Sequence, residues 1–380
     1  MRYYNYDYLR VIAMLGIVLL HVSATYMHGI TDSSIFGHRY EGDYWYIAIA
    51  NTLPRFAVPI FFMLSGAFLL ERKIVSIREF YARRWRKIGM YTALFTLAYF
   101  LYAFAKQSVN VLFRGGDIWL LVNPVEDLLR GQAFYHLWFM YVLMGLYLLT
   151  PVMVWIKTQL SEEVFTRLGV GGAILASISF NTSTHLLIWD VGYVLYFLAF
   201  FFLGHILRVK AGAHKNTKVH FTLFILLGGA LETAVGYAIG CREAAGLSFH
   251  DTAHNLSEPL SPLIMLASCA IFYGFGIMQC HKSELIDMVS RYSFSIFLFH
   301  ALVWDVLSLT LVRSHFGQCG DALYVIPLGV VAVFLISLAL SILWEKFWKS
   351  LDEKLGVTDS SLRLLHLKVA DIGGDKNFRT

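Results

Sequence analysis

The feature that most constrains this chain is a series of apolar runs, each about 20 residues long, that recurs along nearly its whole length. Each run can cross a hydrocarbon core of roughly 30 Å as a helix. Helices are favoured because a backbone inside lipid must satisfy its own hydrogen bonds. Of the 380 residues, 57% are hydrophobic and only 15% are charged. The sequence therefore predicts an all-α fold, a polytopic integral membrane helical bundle.

The apolar runs predict about ten transmembrane helices. Their expected boundaries are 8–29, 46–70, 88–105, 134–156, 169–189, 190–207, 219–240, 259–280, 290–312 and 323–345. The count depends most on the short stretch 181–192, which separates the fifth span from the sixth. We expect residues 1–345 to form one transmembrane domain. Residues 346–380 are expected to form a charged cytoplasmic tail, too short for a catalytic domain.

The distribution of Lys and Arg orients the spans. If the N-terminus is cytoplasmic, 24 of the 31 basic residues fall in cytoplasmic segments and 6 in external loops. This asymmetry follows the positive-inside rule and predicts that both termini are cytoplasmic. The net charge of +5 is then a consequence of membrane orientation, and it does not indicate a nucleic acid partner.

Two ionisable residues, Arg10 and His21, lie in the first span with ten residues between them. Eleven helical steps make about three turns, so both side chains leave the same helix face roughly 16 Å apart. Ionisable groups inside a membrane usually mark a functional site. The alternatives are that Arg10 reaches the interface as an anchor and that His21 is a hydrogen-bonded group between helices.

The second span contains LPRFAVPIFFMLSG, in which Arg55 lies between Pro54 and Pro59. Two prolines free backbone carbonyls inside the bilayer, and such groups are tolerated where they line a polar cavity or are buried in protein. We therefore expect Arg55 to face a cavity; the alternative is a structural Arg that pairs with those carbonyls or with an acidic group. In the fourth span, His136 is expected near the external surface beside Trp138 and Tyr141, where it can meet an acceptor.

A basic cluster of Arg83, Arg84 and Arg86 precedes the third span on the predicted cytoplasmic side. Guanidinium groups hold phosphates with paired hydrogen bonds, so the cluster suits a polyanionic cofactor. Anionic membrane lipids are the alternative ligand.

Further polar residues lie within the later spans. Ser293 and His300 share a face of the ninth span, and Glu232 is an acidic group in the seventh. Each can be a structural hydrogen-bonding group or part of a proton path. We find no metal-ligand spacing among the scattered histidines and cysteines, so no metal is expected.

Several of these segments, in the same order, resemble the acyltransferase-3 family of integral membrane acyltransferases. The residues that carry the resemblance are Arg10 with His21, FFMLSG at 61–66, the Arg83, Arg84 and Arg86 cluster, YHLWF at 135–139 and YSFSIFLFH at 292–300. The resemblance implies transfer of an acyl group, usually acetyl, from cytoplasmic acetyl-CoA to a surface glycan or lipid-linked glycan. It implies a location in the bacterial inner membrane. Because no soluble domain is apparent, we expect a stand-alone member.

The resemblance implies catalytic importance for Arg10 and His21 and acyl-CoA binding by Arg83, Arg84 and Arg86. The residues fit this chemistry. Arg10 and the basic cluster would hold the phosphates of acyl-CoA, and His21 would act as general base or as an acylated nucleophile, two paths that stay open.

Arg55 or His136 would stabilise the oxyanion or position the sugar. The competing class of function is a proton-coupled transporter or lipid-linked sugar translocase that uses the same polar residues. The Pro-interrupted second span has no counterpart in the seventh, which favours the enzyme.

Overall fold

The structure is a computed structural model that describes residues 3–30, 41–181, 189–213, 218–244, 256–312 and 322–354. In these ranges the helices are joined by turns and short irregular segments, and no strand occurs. Nine segments among them are long and apolar enough to cross a membrane, and a tenth apolar helix has 16 residues. The all-α, polytopic membrane fold is therefore confirmed.

The described ranges contain twelve α-helices. They are α1 (Tyr4–Ile30), α2 (Glu41–Thr52), α3 (Ala57–Leu69), α4 (Ile77–Arg114), α5 (Val122–Leu129), α6 (Trp138–Gln159), α7 (Glu162–Asn181), α8 (Trp189–Gly212), α9 (Lys218–Ala244), α10 (Pro262–Ile277), α11 (Glu284–Leu307) and α12 (Ala322–Lys354). A short 3-10 turn precedes α5, and a π turn at Ser308–Val312 continues α11.

The chain forms two compact units. Among the described residues, the first contains those up to Arg72 and those within Lys157–Phe347, and the second contains Lys73–Ile156 and those from Trp348 to Lys354. The expected domain boundary at 345 falls inside α12, because this helix continues to Lys354. The remainder of the predicted tail, from residue 355, lies outside the described residues.

Helix α1 runs parallel to α11 and antiparallel to α10. At one end of α1, the Asn5 amide donates to the carbonyl of Phe275 on α10 over 2.8 Å. Towards the other end, the indole N–H of Trp304 on α11 donates to the Thr25 hydroxyl over 2.8 Å. These relative directions agree with the predicted order of the spans. The cytoplasmic location of the termini stays a prediction.

The second predicted span is divided where its prolines lie. Helix α2 ends at Thr52, a single turn follows, and α3 begins at Ala57. Arg55 lies in that turn directly after Pro54. Pro59 occupies the first turn of α3, where a backbone N–H has no helical acceptor in any case.

Helix α4 is much longer than the predicted third span at 88–105. It begins after Ser76, whose hydroxyl accepts from the Glu79 N–H over 3.3 Å, and it continues to Arg114. A hydropathy pattern detects only the apolar part of such a helix, whereas backbone hydrogen bonding extends through the charged turns. Arg83 and its basic neighbours therefore lie on the helix itself.

Helix α10 is shorter than the predicted eighth span at 259–280. Pro262 occupies its first turn, and Met278 has an extended backbone that ends it. A proline favours the start of a helix because its fixed φ suits the first turn.

Candidate active site

A direct contact between two histidines joins helices α1 and α11 of the first unit. Nδ1 of His21 on α1 is 2.7 Å from Nε2 of His300 on α11. His300 is fully buried, while His21 is partly exposed. A buried imidazole needs hydrogen-bond partners, and here each ring supplies one for the other.

The two imidazole rings meet end to end in nearly one plane. Their planes differ by only 11°, and their centroids are 4.9 Å apart. Because the two joined nitrogens are only 2.7 Å apart, a centroid separation this long requires both nitrogens to lie between the two ring centres, as in rings that meet end to end. On its other side, Nδ1 of His300 is 2.6 Å from the carbonyl oxygen of Phe297, one turn earlier on α11. The two histidines and this carbonyl form a continuous hydrogen-bonded row.

Arg55 approaches the histidine pair from the break between α2 and α3. Its guanidinium donates to the Asn51 side-chain oxygen over 2.7 Å and to the carbonyl oxygen of Ser257 over 2.6 Å. It is close enough to act electrostatically on His21. Two of its five N–H donors therefore hold it in place, and the cavity that we expected it to face stays a prediction.

Two acidic residues lie near Arg55. Glu232 on α9 is fully buried, and both Glu232 and Glu258 lie within electrostatic reach of the guanidinium. The Pro-interrupted turn thus brings a cation with acidic neighbours to the histidine site.

Arg10 lies farther along the same α1–α11 contact. Its guanidinium donates to Asp7 over 3.2 Å and to the Ser290 hydroxyl over 3.0 Å, and Ser290 donates to Asp7 over 2.8 Å. Only 12% of the Arg10 side chain is exposed. Arg10 and His21 therefore both face α11, as their spacing predicts. The catalytic and cofactor-binding roles of Arg10 stay predictions.

The basic cluster belongs to the second unit, on the first turns of α4. Arg83 is exposed and forms an ion pair with Glu79. Arg84 is buried and lines a small cavity together with Tyr81 and Tyr147. Arg86 lies on the helix, but its side chain is outside the described residues. The three arginines therefore differ in environment, and their role in binding acyl-CoA stays a prediction.

His136, also in the second unit, lies in the turn before α6. It is 2% exposed and packs edge-on against the ring of Tyr99 at 4.9 Å and that of Tyr135 at 5.6 Å. Its ring is thus enclosed by aromatic side chains. The expected contact with an external acceptor stays a prediction, and any such contact requires these rings to move.

The sequence did not identify the residues that hold His21 and Arg55 in place. The sequence identifies His300 as a structural hydrogen-bonding group or as part of a proton path, and it does not single out Asn51 or the Ser257 carbonyl. The shared polarity of the first and ninth spans was the available signal for the histidine pair. In the described ranges, no group of three or more His, Cys, Asp or Glu side chains is arranged to hold a metal ion.

The fold and its central polar pair define a polytopic helical membrane protein with a candidate active site inside the bundle. The model of the acyltransferase-3 family, which describes an acyltransferase domain, matches residues 3–344. The chain therefore belongs to the acyltransferase-3 family and is a membrane acyltransferase.

Comparison with individual proteins adds a partial likeness. An amino-acid racemase of Enterococcus faecalis is 30% identical over 141 residues, which cover 36% of this chain and 17% of that protein. The match thus spans less than a fifth of the relative. No solved structure matches the chain.

Proposed function

We propose that this chain is an O-acetyltransferase of the bacterial inner membrane. It takes the acetyl group from cytoplasmic acetyl-CoA and transfers it to a hydroxyl of a cell-surface or lipid-linked polysaccharide. Family membership supports the acyl transfer. The single observation that carries the chemistry is the His21–His300 contact, which holds a partly exposed imidazole inside the bundle.

The proposed step uses His21 as general base. The acceptor hydroxyl oxygen attacks the thioester carbonyl carbon while its proton passes to His21. The C–S bond then breaks, and the departing sulfur of CoA takes that proton. The products are the acetyl ester and CoA thiol, so protons and electrons balance. Imidazole suits this role because it exchanges a proton near neutral pH.

Arg55 supports the same step electrostatically. A negative charge develops on the thioester carbonyl oxygen during the attack, and a fixed guanidinium nearby stabilises it. Asn51 and Ser257 hold Arg55 in place, which limits the reorganisation that the charge requires. We assign Arg55 this role in preference to His136, because Arg55 lies within electrostatic reach of His21.

The acyl donor is a polyanion, so its recognition requires cations. We assign this role to Arg10, Arg83, Arg84 and Arg86, with phosphate groups as their ligands. Arg83 is exposed, and Arg10 is held by Asp7 and Ser290. Anionic lipid headgroups remain the competing ligand for the basic residues of α4.

Two other activities are not proposed. A transporter would use the same polar residues without breaking a covalent bond, and membership of an acyltransferase family favours the enzyme. The amino-acid racemase is named for racemisation, but the match covers only 17% of that protein's length.

The experiment is acyl transfer by the purified full-length chain in lipid nanodiscs. Acetyl-CoA labelled in the acetyl group is incubated with the chain and with polysaccharide and lipid-linked glycan fractions from the producing cells. We expect release of CoA thiol together with base-labile label in a glycan fraction. Thiol release without glycan label, or no thiol release, would contradict the proposal. Stable label on the chain itself would instead indicate an acyl-histidine path.

A further inference from the structure

The hydrogen bonds that link His21, His300 and the Phe297 carbonyl run in a single donor-to-acceptor direction. We propose that His300 is a positioning residue that fixes the tautomer of His21, so that Nε2 of His21 is the nitrogen that accepts the proton. This inference rests on the proposed function, because it names the reacting atom of the same general base. It adds a second histidine to the reaction without giving it contact with the substrate.

The direction follows from the carbonyl at the end of the row. A carbonyl oxygen only accepts hydrogen bonds, so Nδ1 of His300 carries the proton in its 2.6 Å contact with Phe297. A neutral imidazole has one N–H, which leaves Nε2 of His300 as an acceptor. Nδ1 of His21, 2.7 Å away, must then be the donor. The remaining nitrogen of His21, Nε2, bears the lone pair.

The surroundings hold this arrangement in place. His300 is fully buried, and the Phe297 ring lies beside it with centroids 5.5 Å apart. A buried ring that loses either hydrogen bond by rotation leaves polar groups unsatisfied, which is costly in a protein interior. His300 is therefore held in one orientation. His21, which is partly exposed, presents Nε2 from the other end of the pair.

The same arrangement assists the step after proton transfer. When Nε2 of His21 takes the hydroxyl proton, the ring becomes an imidazolium that donates from both nitrogens. Its Nδ1–H already faces the lone pair of His300, so the cation gains a stronger, charge-assisted hydrogen bond. Fixing the tautomer and supporting the cation are the two functions of an orienting partner behind a catalytic histidine.

The test compares two amides that differ by one methylene. In His300→Gln, the side-chain oxygen reaches about where Nε2 was and can accept from His21. In His300→Asn, the amide reaches only about as far as Nδ1 and can contact the Phe297 carbonyl but not His21. We expect the kcat of the Gln variant to stay within about tenfold of that of the unsubstituted chain. The kcat of the Asn variant should fall about 100-fold. The KM for acetyl-CoA should be unchanged in both.

The matched control is Thr25→Val. It removes the acceptor of the Trp304 hydrogen bond, which joins the same two helices one turn beyond the histidines. If the histidine contact only holds α1 against α11, this control and His300→Asn should lower activity alike. We expect the control to keep kcat within about threefold, since one hydrogen bond contributes about 1 kcal/mol.

The outcomes separate this inference from the function on which it rests. If the unsubstituted chain transfers acetyl groups and the Gln and Asn variants are equally active or equally impaired, His300 does not set the tautomer. If the unsubstituted chain transfers no acetyl group, the proposed function fails and the inference fails with it. Selective rescue by Gln, with KM constant, supports the positioning role.

Discussion

Two parallel helix pairs in the first unit are held together in opposite ways. Helices α1 and α11 meet through polar side chains, among them the contact between His21 and His300 and the buried hydrogen bond that Ser290 donates to Asp7. Helices α3 and α8 meet through their backbones, because a methyl group on Gly66 would overlap the carbonyl oxygen of Phe201 and one on Gly204 would overlap that of Met63. Small residues are the ordinary means of packing membrane helices closely.

This difference separates stability from function. The glycine crossing of α3 and α8 is explained by packing alone. Ionisable groups are expensive inside a membrane, so the polar contact of α1 with α11 requires another explanation. The proposed chemistry supplies one. Substitutions in the two pairs should therefore have different effects, one on catalysis and the other on folding.

The largest effect is expected from the polar pair. His21→Ala removes the proposed base, so acyl transfer should fall by about 10²–10⁴-fold while the amount of folded protein in the membrane is unchanged. Transferred label and membrane abundance are measured together. His220→Ala, an exposed histidine at the start of α9, is the matched control and should keep full activity. Normal transfer by the His21 variant would refute its catalytic role.

A second, smaller effect is expected from the glycine crossing. Gly66→Ala forces α3 and α8 apart, and overpacking of this kind costs about 1–3 kcal/mol. The Tm of the purified chain should therefore fall, and activity at low temperature should be lost only in proportion to the folded fraction. Gly172→Ala on α7 is the control, because its methyl group would meet open space. Equal Tm values for the two variants would show that the crossing is looser than the structure indicates.

The smallest effect is expected from the basic residues of α4, which take part in neither pair. Replacing Arg83, Arg84 and Arg86 together with Gln should raise the KM for acetyl-CoA about tenfold, because phosphate contacts are charge-assisted hydrogen bonds. Orientation should persist, since the other predicted cytoplasmic segments keep an excess of Lys and Arg. Steady-state kinetics measure the KM, and protease accessibility measures the orientation. An inverted chain with unchanged KM would identify the cluster as a topological anchor.

The parts of the site that the sequence predicted are those set by one helix. Spacing alone indicated that Arg10 and His21 share a face, and the structure turns both toward α11. The prolines beside Arg55 likewise indicated a break in the second span. Both predictions use local geometry, namely the period of the helix and the missing N–H of proline.

The parts that the sequence did not predict depend on contacts between distant elements. The partner of His21 lies 279 residues further along the chain, and the helix period does not report which helices pack together. The extent of α4 was missed for another reason. Its start is marked by the Ser76 cap and Glu79, a local signal that hydropathy does not contain.

The central claim is that acetyl groups pass from CoA on the cytoplasmic side to an external hydroxyl through His21. The most direct test uses sealed membrane vesicles from producing cells, inside-out or right-side-out, with labelled acetyl-CoA supplied only in the outer medium. We predict base-labile label in the luminal glycan of inside-out vesicles, and none in right-side-out vesicles or in inside-out vesicles carrying His21→Ala. Transfer only when donor and acceptor share the cytoplasmic side, or equal labelling by the His21 variant, would contradict the account.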